Sequence, residues 1–259
     1  MSETDAELRF LPFGDAALIV EFGREKDRML SASVLALDRQ IAAAGIVGVI
    51  ETAPSFRSLT VQFDPLQTDG AAVEAAIRPL IDARGAGGGR ARRWRFPACY
   101  EGAFAPDLAD VAARAGLTPS AVIELHAGIA HHVYMIGFLP GCPYMGDLPP
   151  AIDFPRRHDP RTAVPAGSVA IAVGLTVIYP VTSPGGWHLI GRTPVTLFDT
   201  MAEPPALLAP GDAVVFEPIG AAAYARVAAA AASGDWAPDC EAIAGDADAA
   251  DTPARRADA

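Results

Sequence analysis

The sequence predicts an α+β chain in two parts, a small α+β sandwich followed by a β-barrel. Residues 8–83 read in the order ββαββα, and two helical stretches between strand pairs pack on one face of a sheet. Residues 94–232 are instead broken by prolines and glycines into many short β-type runs, the pattern of a closed or nearly closed barrel. Between them, DARGAGGGRARR (82–93) holds three consecutive glycines flanked by arginines and will not pack as a helix. The expected boundaries are an N-terminal domain over 1–84, a Gly/Arg linker over 85–93, the barrel over 94–232, and a disordered, Ala/Asp-rich tail over 233–259.

In order, Leu8–Phe13 and Ala16–Phe22 read as strands joined by a Gly14-Asp15 turn. Glu25–Ala44 carries Met29, Val34, Leu37 and Ile41 near helical spacing, and Gly45 ends it. Gly48–Thr52 and Arg57–Phe63 read as strands, and Asp69 precedes a helix over 71–83. Arg57 and Ser58 follow a turn, where an exposed strand end is the plain reading. Trp94, Phe96 and Ala98 alternate along a strand over 92–100. Asp107 caps a helix over Leu108–Ala115 stopped by Gly116, and Thr118-Pro119 starts another that runs to Ala127. Strands follow at 131–138, 168–173, 176–181 and 213–217; the alanine run of Tyr224–Ala231 fits strand or helix equally.

Composition excludes several function classes. A net charge of −11 argues against nucleic-acid or anionic-membrane surfaces. No run of 18 apolar residues is present and the start, MSETDAELRF, is acidic, so a cytosolic protein is expected. Cys99, Cys142 and Cys240 are odd in number and far apart, as for free thiols in a reducing compartment. Lys26 is the only lysine against nineteen arginines, and it lies in GREKDR; neither a Walker A loop nor a biotin-carrier lysine is available.

The stretch from Gly137 to Asp199 contains ten prolines and eight glycines around two β-type runs. It must be shaped turns on a rigid scaffold, which is where binding groups sit. All five histidines lie between 126 and 188 without HxH or HExxH spacing, so no metal site is expected. His131 and His132, adjacent on a strand, point to opposite faces. His188, just after the Gly185-Gly186-Trp187 turn, is the best histidine candidate. Cys142 in PGCP reads as a nucleophile or, more plainly, a small apolar filler. Arg156, Arg157, Arg161 and Arg192 offer forks for carboxylate or phosphate; for Arg156 and Arg157, surface pairing with Asp153, Asp159 or Asp147 is the favoured reading. Ser168, Tyr179, Ser183 and Thr193 can hydrogen-bond a substrate. Gly185 and Gly186 permit close backbone approach or an N–H nest for an anion, and Trp187 beside them can cover a planar ligand.

GFLPGCPYMGDL (137–148), PRRHDPRTAVPAGSVAIA (155–172) and YPVTSPGGWHLIGRTP (179–194) together resemble the signature of the allophanate hydrolase subunit 1 family. That family includes the B subunit of bacterial 5-oxoprolinase, sporulation-kinase inhibitors, and one half of the urea carboxylase carboxyltransferase domain (subdomains C and D). LPFGDAALIVEFG and APSFRSLTVQFDP extend the resemblance over roughly residues 8–232. It implies a cyclophilin-like barrel after a small α+β domain. It raises Arg161 and Arg192, with His188, as catalytic candidates; members often carry an amide where His188 stands, which suggests hydrogen bonding more than proton transfer. The activity implied is ATP-dependent opening of 5-oxoproline to L-glutamate. ATP and Mg would bind without a P-loop. The implied partners are a companion allophanate hydrolase subunit 2-type protein and a third 5-oxoprolinase subunit, and the chain is not expected to be active alone. A carboxyltransferase or allophanate-hydrolase subunit in urea metabolism, or a non-enzymatic histidine-kinase inhibitor, are the alternatives.

Overall fold

The computed structural model describes residues 8–82 and 91–243, in two compact units, one ending at Ala91 and the other running Arg92–Ile243. The first unit holds β1 (Arg9–Pro12), β2 (Ala17–Glu21), α1 (Arg28–Ala44), β3 (Val49–Pro54), β4 (Ser58–Phe63) and α2 (Gly70–Asp82). The antiparallel sheet runs β1-β2-β4-β3. Its alternate residues Leu18, Val20, Leu59 and Val61 are buried with Val34, Leu37 and Ile41 of α1 and Val73 and Ile77 of α2. The first helix starts at Arg28, later than the expected Glu25, because the Asp27 carboxylate accepts from the Met29 and Leu30 N–H groups at 2.7 and 3.1 Å.

The second unit begins with β5 (Ala91–Cys99), then α3 (Leu108–Ala115), α4 (Pro119–Ala127), β6 (His131–Ile136), β7 (Pro143–Met145), β8 (Arg161–Val164), β9 (Ser168–Ala172) and β10 (Leu175–Ile178). It continues with β11 (Ser183–Gly185), β12 (His188–Arg192), β13 (Ala213–Ile219), α5 (Ala221–Ser233) and β14 (Asp239–Ile243). Seven strands close a ring, β12-β9-β10-β7-β6-β13-β5 and back to β12. The ring closes through one residue pair, Arg192 with Cys99, so the start of β5 keeps a free edge. Phe96, Met145, Ile171, Ile178, Ile190 and Phe216 fill the ring. The α+β class and the barrel are as expected. β8 and β11 form a separate two-stranded ribbon that sets Arg161 opposite Gly185.

Helix α4 reaches into this core. The fully buried His126 ring bonds the Tyr100 hydroxyl at 2.9 Å and the Thr176 hydroxyl at 3.3 Å, and lies 4.6 Å from the His131 ring. His131 and His132 do face opposite sides, but both are buried: His131 against Phe216, His132 against Tyr134.

Two boundaries differ from expectation. The strand β5 takes in residues 91–93 of the supposed linker, because Asp212 accepts from the Arg92 backbone and guanidinium and from the Trp94 indole. Residues 85–90 lie outside the described residues. The tail expected to be disordered from 233 instead finishes α5 and adds β14 to the edge of β5. An edge strand needs backbone pairing more than apolar side chains; the Arg93–Glu241 ion pair at 3.2 Å and the partly buried Trp236 help hold it. The rest of that tail, 244–259, lies outside the described residues. The ambiguous alanine run is helical, consistent with alanine's intrinsic preference. No helix among the described residues is long and apolar enough to cross a membrane.

Candidate functional site

A cleft of about 190 Å³ opens beside the ribbon, with Tyr144, Arg156, Tyr179, Gly185 and Trp187 on its walls and Phe138 and Pro184 at its edge. Trp187 is buried, and the Tyr144 ring meets it edge-on at 6.0 Å and 81°. Gly185 is required by close approach. A Cβ there would lie 2.3 Å from the Tyr179 hydroxyl, so any side chain would drive the tyrosine out of the cleft. Neither Gly185 nor Gly186 has positive φ, so the pair does not make the left-handed N–H nest that its sequence suggests. Instead the Gly186 carbonyl accepts from the Arg157 N–H at 2.7 Å.

Burial sets the protonation of the walls. It pushes the Cys142 thiol and the Tyr179 phenol each up to about 12. Cys142 is therefore a thiol at neutral pH and forms part of the wall, with no thiolate to act as nucleophile. Tyr179 keeps its proton and is a hydrogen-bond donor. No acidic side chain lines the cleft.

Five hydrogen bonds hold the wall that carries Arg156. Asp107 does not cap α3 as its position suggests: its side chain makes no cap bond, because the buried carboxylate accepts instead from Arg157 at 3.1 Å, from Arg161 at 2.6 Å and from the Leu189 N–H at 2.7 Å. His188 donates from Nε2 to the Pro155 carbonyl at 2.9 Å. The Arg157 N–H bond to Gly186 completes the set. Pro155 and Arg157, on either side of Arg156, are thus both tied down. Arg156 itself lies over the Trp187 ring, 5.6 Å from its centroid. None of the three aspartates expected to pair with Arg156 and Arg157 does so. Arg157 takes Asp107, while Asp153 accepts from the Gly174 N–H and His158 holds Asp159.

The residues singled out in the sequence separate into three places. Tyr179, Gly185, Gly186 and Trp187 line the cleft. Arg161 and His188 face Asp107 and Pro155, behind the cleft wall. Arg192 stands at the far end of β12, over the Phe104 ring at 5.6 Å, beside Cys99 and Ser168 in the barrel register. Ser168 is buried there, Thr193 accepts from the Val195 N–H, and Ser183 donates to the Pro184 carbonyl. Tyr144, Val177, Arg156 and Phe138 line the cleft without having been chosen from the sequence. Arg156 was outweighed by the aspartates around it. Phe138 is exposed with φ of 69°, a left-handed conformation that is costly for a bulky residue. It is imposed by a loop closed by Gly137 N–H to Cys142 carbonyl and Cys142 N–H to Leu139 carbonyl bonds, both 3.0 Å. GFLPG was the available signal. Among the described residues, no group of three or more His, Cys, Asp or Glu is placed to hold a metal.

The family model described as "Carboxyltransferase domain, subdomain C and D" matches residues 8–208, most of both units. The chain belongs to this carboxyltransferase-domain family. Among its relatives is the B subunit of the 5-oxoprolinase of Bacillus subtilis (strain 168), 37% identical over 217 residues, which are 78% of this chain and 89% of that one. The crystal structure of TTHA0988 superposes with a TM-score of 0.70 at 34% identity, covering 79% of this chain and 40% of that one. The K. lactis urea amidolyase shares the fold at a TM-score of 0.79 and 21% identity, covering 94% of this chain and 17% of that one. This carboxyltransferase-domain chain thus spans less than half of either solved polypeptide. The cleft residues Tyr179, Gly185 and Trp187, and the Asp107 fastener, all fall inside the matched family segment.

Proposed function

We propose that the chain is the B subunit of a 5-oxoprolinase, acting in the hydrolytic opening of 5-oxoproline to L-glutamate. The observation that carries this reading is the identity with the Bacillus subtilis 5-oxoprolinase chain across nearly the whole length of that chain. The cleft supports it. At about 190 Å³ it is smaller than the roughly 300–1,000 Å³ typical of drug-sized ligands, a size that suits a small lactam ring. Trp187 gives the cleft an apolar wall, and the Tyr179 hydroxyl offers a donor to a carbonyl oxygen. This chain's share of the work is to bind and orient the lactam; a lactam amide is resonance-stabilised, and fixed orientation lowers the cost of attack on it.

The cleft offers no place for ATP. The cleft is too small for a nucleotide, and the single lysine, Lys26, lies in the other unit with no glycine-rich phosphate loop. We assign nucleotide binding, and activation of the amide, to partner chains: a companion allophanate hydrolase subunit 2-type protein and a third 5-oxoprolinase subunit. A cytoplasmic, hetero-oligomeric enzyme follows from this reading.

The test is reconstitution. Mixed with its companion chains, the protein should release glutamate from 5-oxoproline in an ATP-dependent reaction, and omission of any one chain should abolish it. Full turnover by the companions without this chain, or by this chain alone, contradicts the proposal.

A further inference from the structure

We infer that Arg156 is the specificity-determining residue of the cleft, binding the carboxylate of a small cyclic substrate. The inference rests on the 5-oxoproline reading and deepens it. It starts from how the charges of residues 155–161 are used. Arg157 and Arg161 both converge on the buried Asp107. Their charges are shared with that carboxylate, and neither side chain lines the cleft. Arg156, between the fastened Pro155 and Arg157, has no carboxylate within ion-pair distance among the described residues. In a chain of net charge −11, an arginine held away from every aspartate around it is out of the ordinary.

Its surroundings fit an anion. The guanidinium lies within cation–π reach of the Trp187 ring, 5.6 Å from its centroid, and its fork can offer two parallel N–H bonds to a carboxylate. The remaining walls are neutral: Tyr144, Tyr179, the Cys142 thiol and the glycine pair, with no acidic group to repel an anion or compete for the arginine. One positive charge in a small neutral cleft selects a monoanion over a polyphosphate. The ring then lies toward Trp187, with its amide near the Tyr179 hydroxyl.

The test uses three small molecules and two variants. The probes are 5-oxoproline, cyclopentanecarboxylate (ring and carboxylate, no amide) and 2-pyrrolidone (ring and amide, no carboxylate). The full chain is titrated with each, following Trp fluorescence, and KM for 5-oxoproline is measured in the reconstituted complex. In wild type, cyclopentanecarboxylate should compete with 5-oxoproline and 2-pyrrolidone should compete far more weakly. Arg156→Gln should raise Kd and KM for 5-oxoproline on the order of 10- to 100-fold, as expected for a lost hydrogen-bonded charge, abolish competition by cyclopentanecarboxylate and leave 2-pyrrolidone unchanged. Arg156→Lys, which keeps the charge and loses the fork, should fall between. Melting temperatures should match wild type, since the side chain is exposed and makes no ion pair.

Unchanged KM in Arg156→Gln, with the carboxylate preference intact, overturns the inference while a complex that still releases glutamate keeps the 5-oxoprolinase reading. Conversely, Arg156-dependent binding of both carboxylates in a complex that releases no glutamate supports the inference and overturns that reading. Loss of 2-pyrrolidone binding in parallel with 5-oxoproline would mean that Arg156 shapes the cleft without reading the carboxylate, and also overturns it.

Discussion

Asp107→Asn should lower the unfolding free energy by about 3 kcal/mol and loosen the cleft at the same time. The carboxylate is buried and accepts three hydrogen bonds, two of them from arginines. Removing one partner of a buried ion pair costs roughly 3–5 kcal/mol, because the remaining charge stays buried and unpaired. Here the arginine side chains are 31% and 25% exposed, so solvent recovers part of that loss and the low end of the range applies. Asparagine preserves the shape and can still accept from Leu189, so the effect isolates charge. The two released guanidinium groups would no longer anchor Arg157 and Arg161, and Arg156 would lose its fixed place over Trp187. Denaturant unfolding should therefore show the lower stability, and the same sample should bind 5-oxoproline less tightly. An unchanged unfolding midpoint would mean that Asp107 is dispensable to both.

Acid should destabilise the barrel through its buried histidines. Burial pushes His131 down from its ordinary value of 6.5 to about 4, and His126 well below its ordinary value; the neighbouring His131 adds to the effect on His126. Bonds to the His126 and Gly146 backbone and the charge of Asp147 offset only part of the shift on His131. Between pH 6.5 and pH 4 the unfolded chain binds protons that the folded chain excludes, so stability is full above pH 6.5 and falls as pH falls. For His131 alone the loss by pH 4 is about 3 kcal/mol. Carboxylates titrate in the same range, so the comparison with His131→Phe carries the test. The variant should lose markedly less stability than wild type over that window. Parallel curves would place the acid sensitivity elsewhere.

Much of the fold was legible because local chemistry agrees with it. Gly45 ends α1 where expected, and the alternation of Trp94, Phe96 and Ala98 marks β5. What was not legible depends on distant partners. β14 owes its place to the free edge of β5 and to Arg93, 148 residues from Glu241 in sequence. β7 is only three residues long and is strand solely because β6 and β10 flank it. The site shows the same division. Gly185, Gly186, Trp187 and Tyr179 stood out by type and context, and the cleft gathers them. The arginines could not be ranked by sequence, because which of them is neutralised depends on Asp107, 50 residues from Arg157 and 54 from Arg161. Composition alone made Asp153 and Asp159 look like the partners, and distance along the chain hid the real one.

The most direct test of the cleft as the lactam site is a titration of the isotope-labelled full chain with 5-oxoproline, read by amide and indole NMR shifts. The changes should concentrate at the Trp187 indole N–H and at the amides of Cys142, Gly185 and Gly186, and should saturate together with one Kd. Shifts confined to the surroundings of Arg192 and Phe104, or to the first unit, would contradict the account.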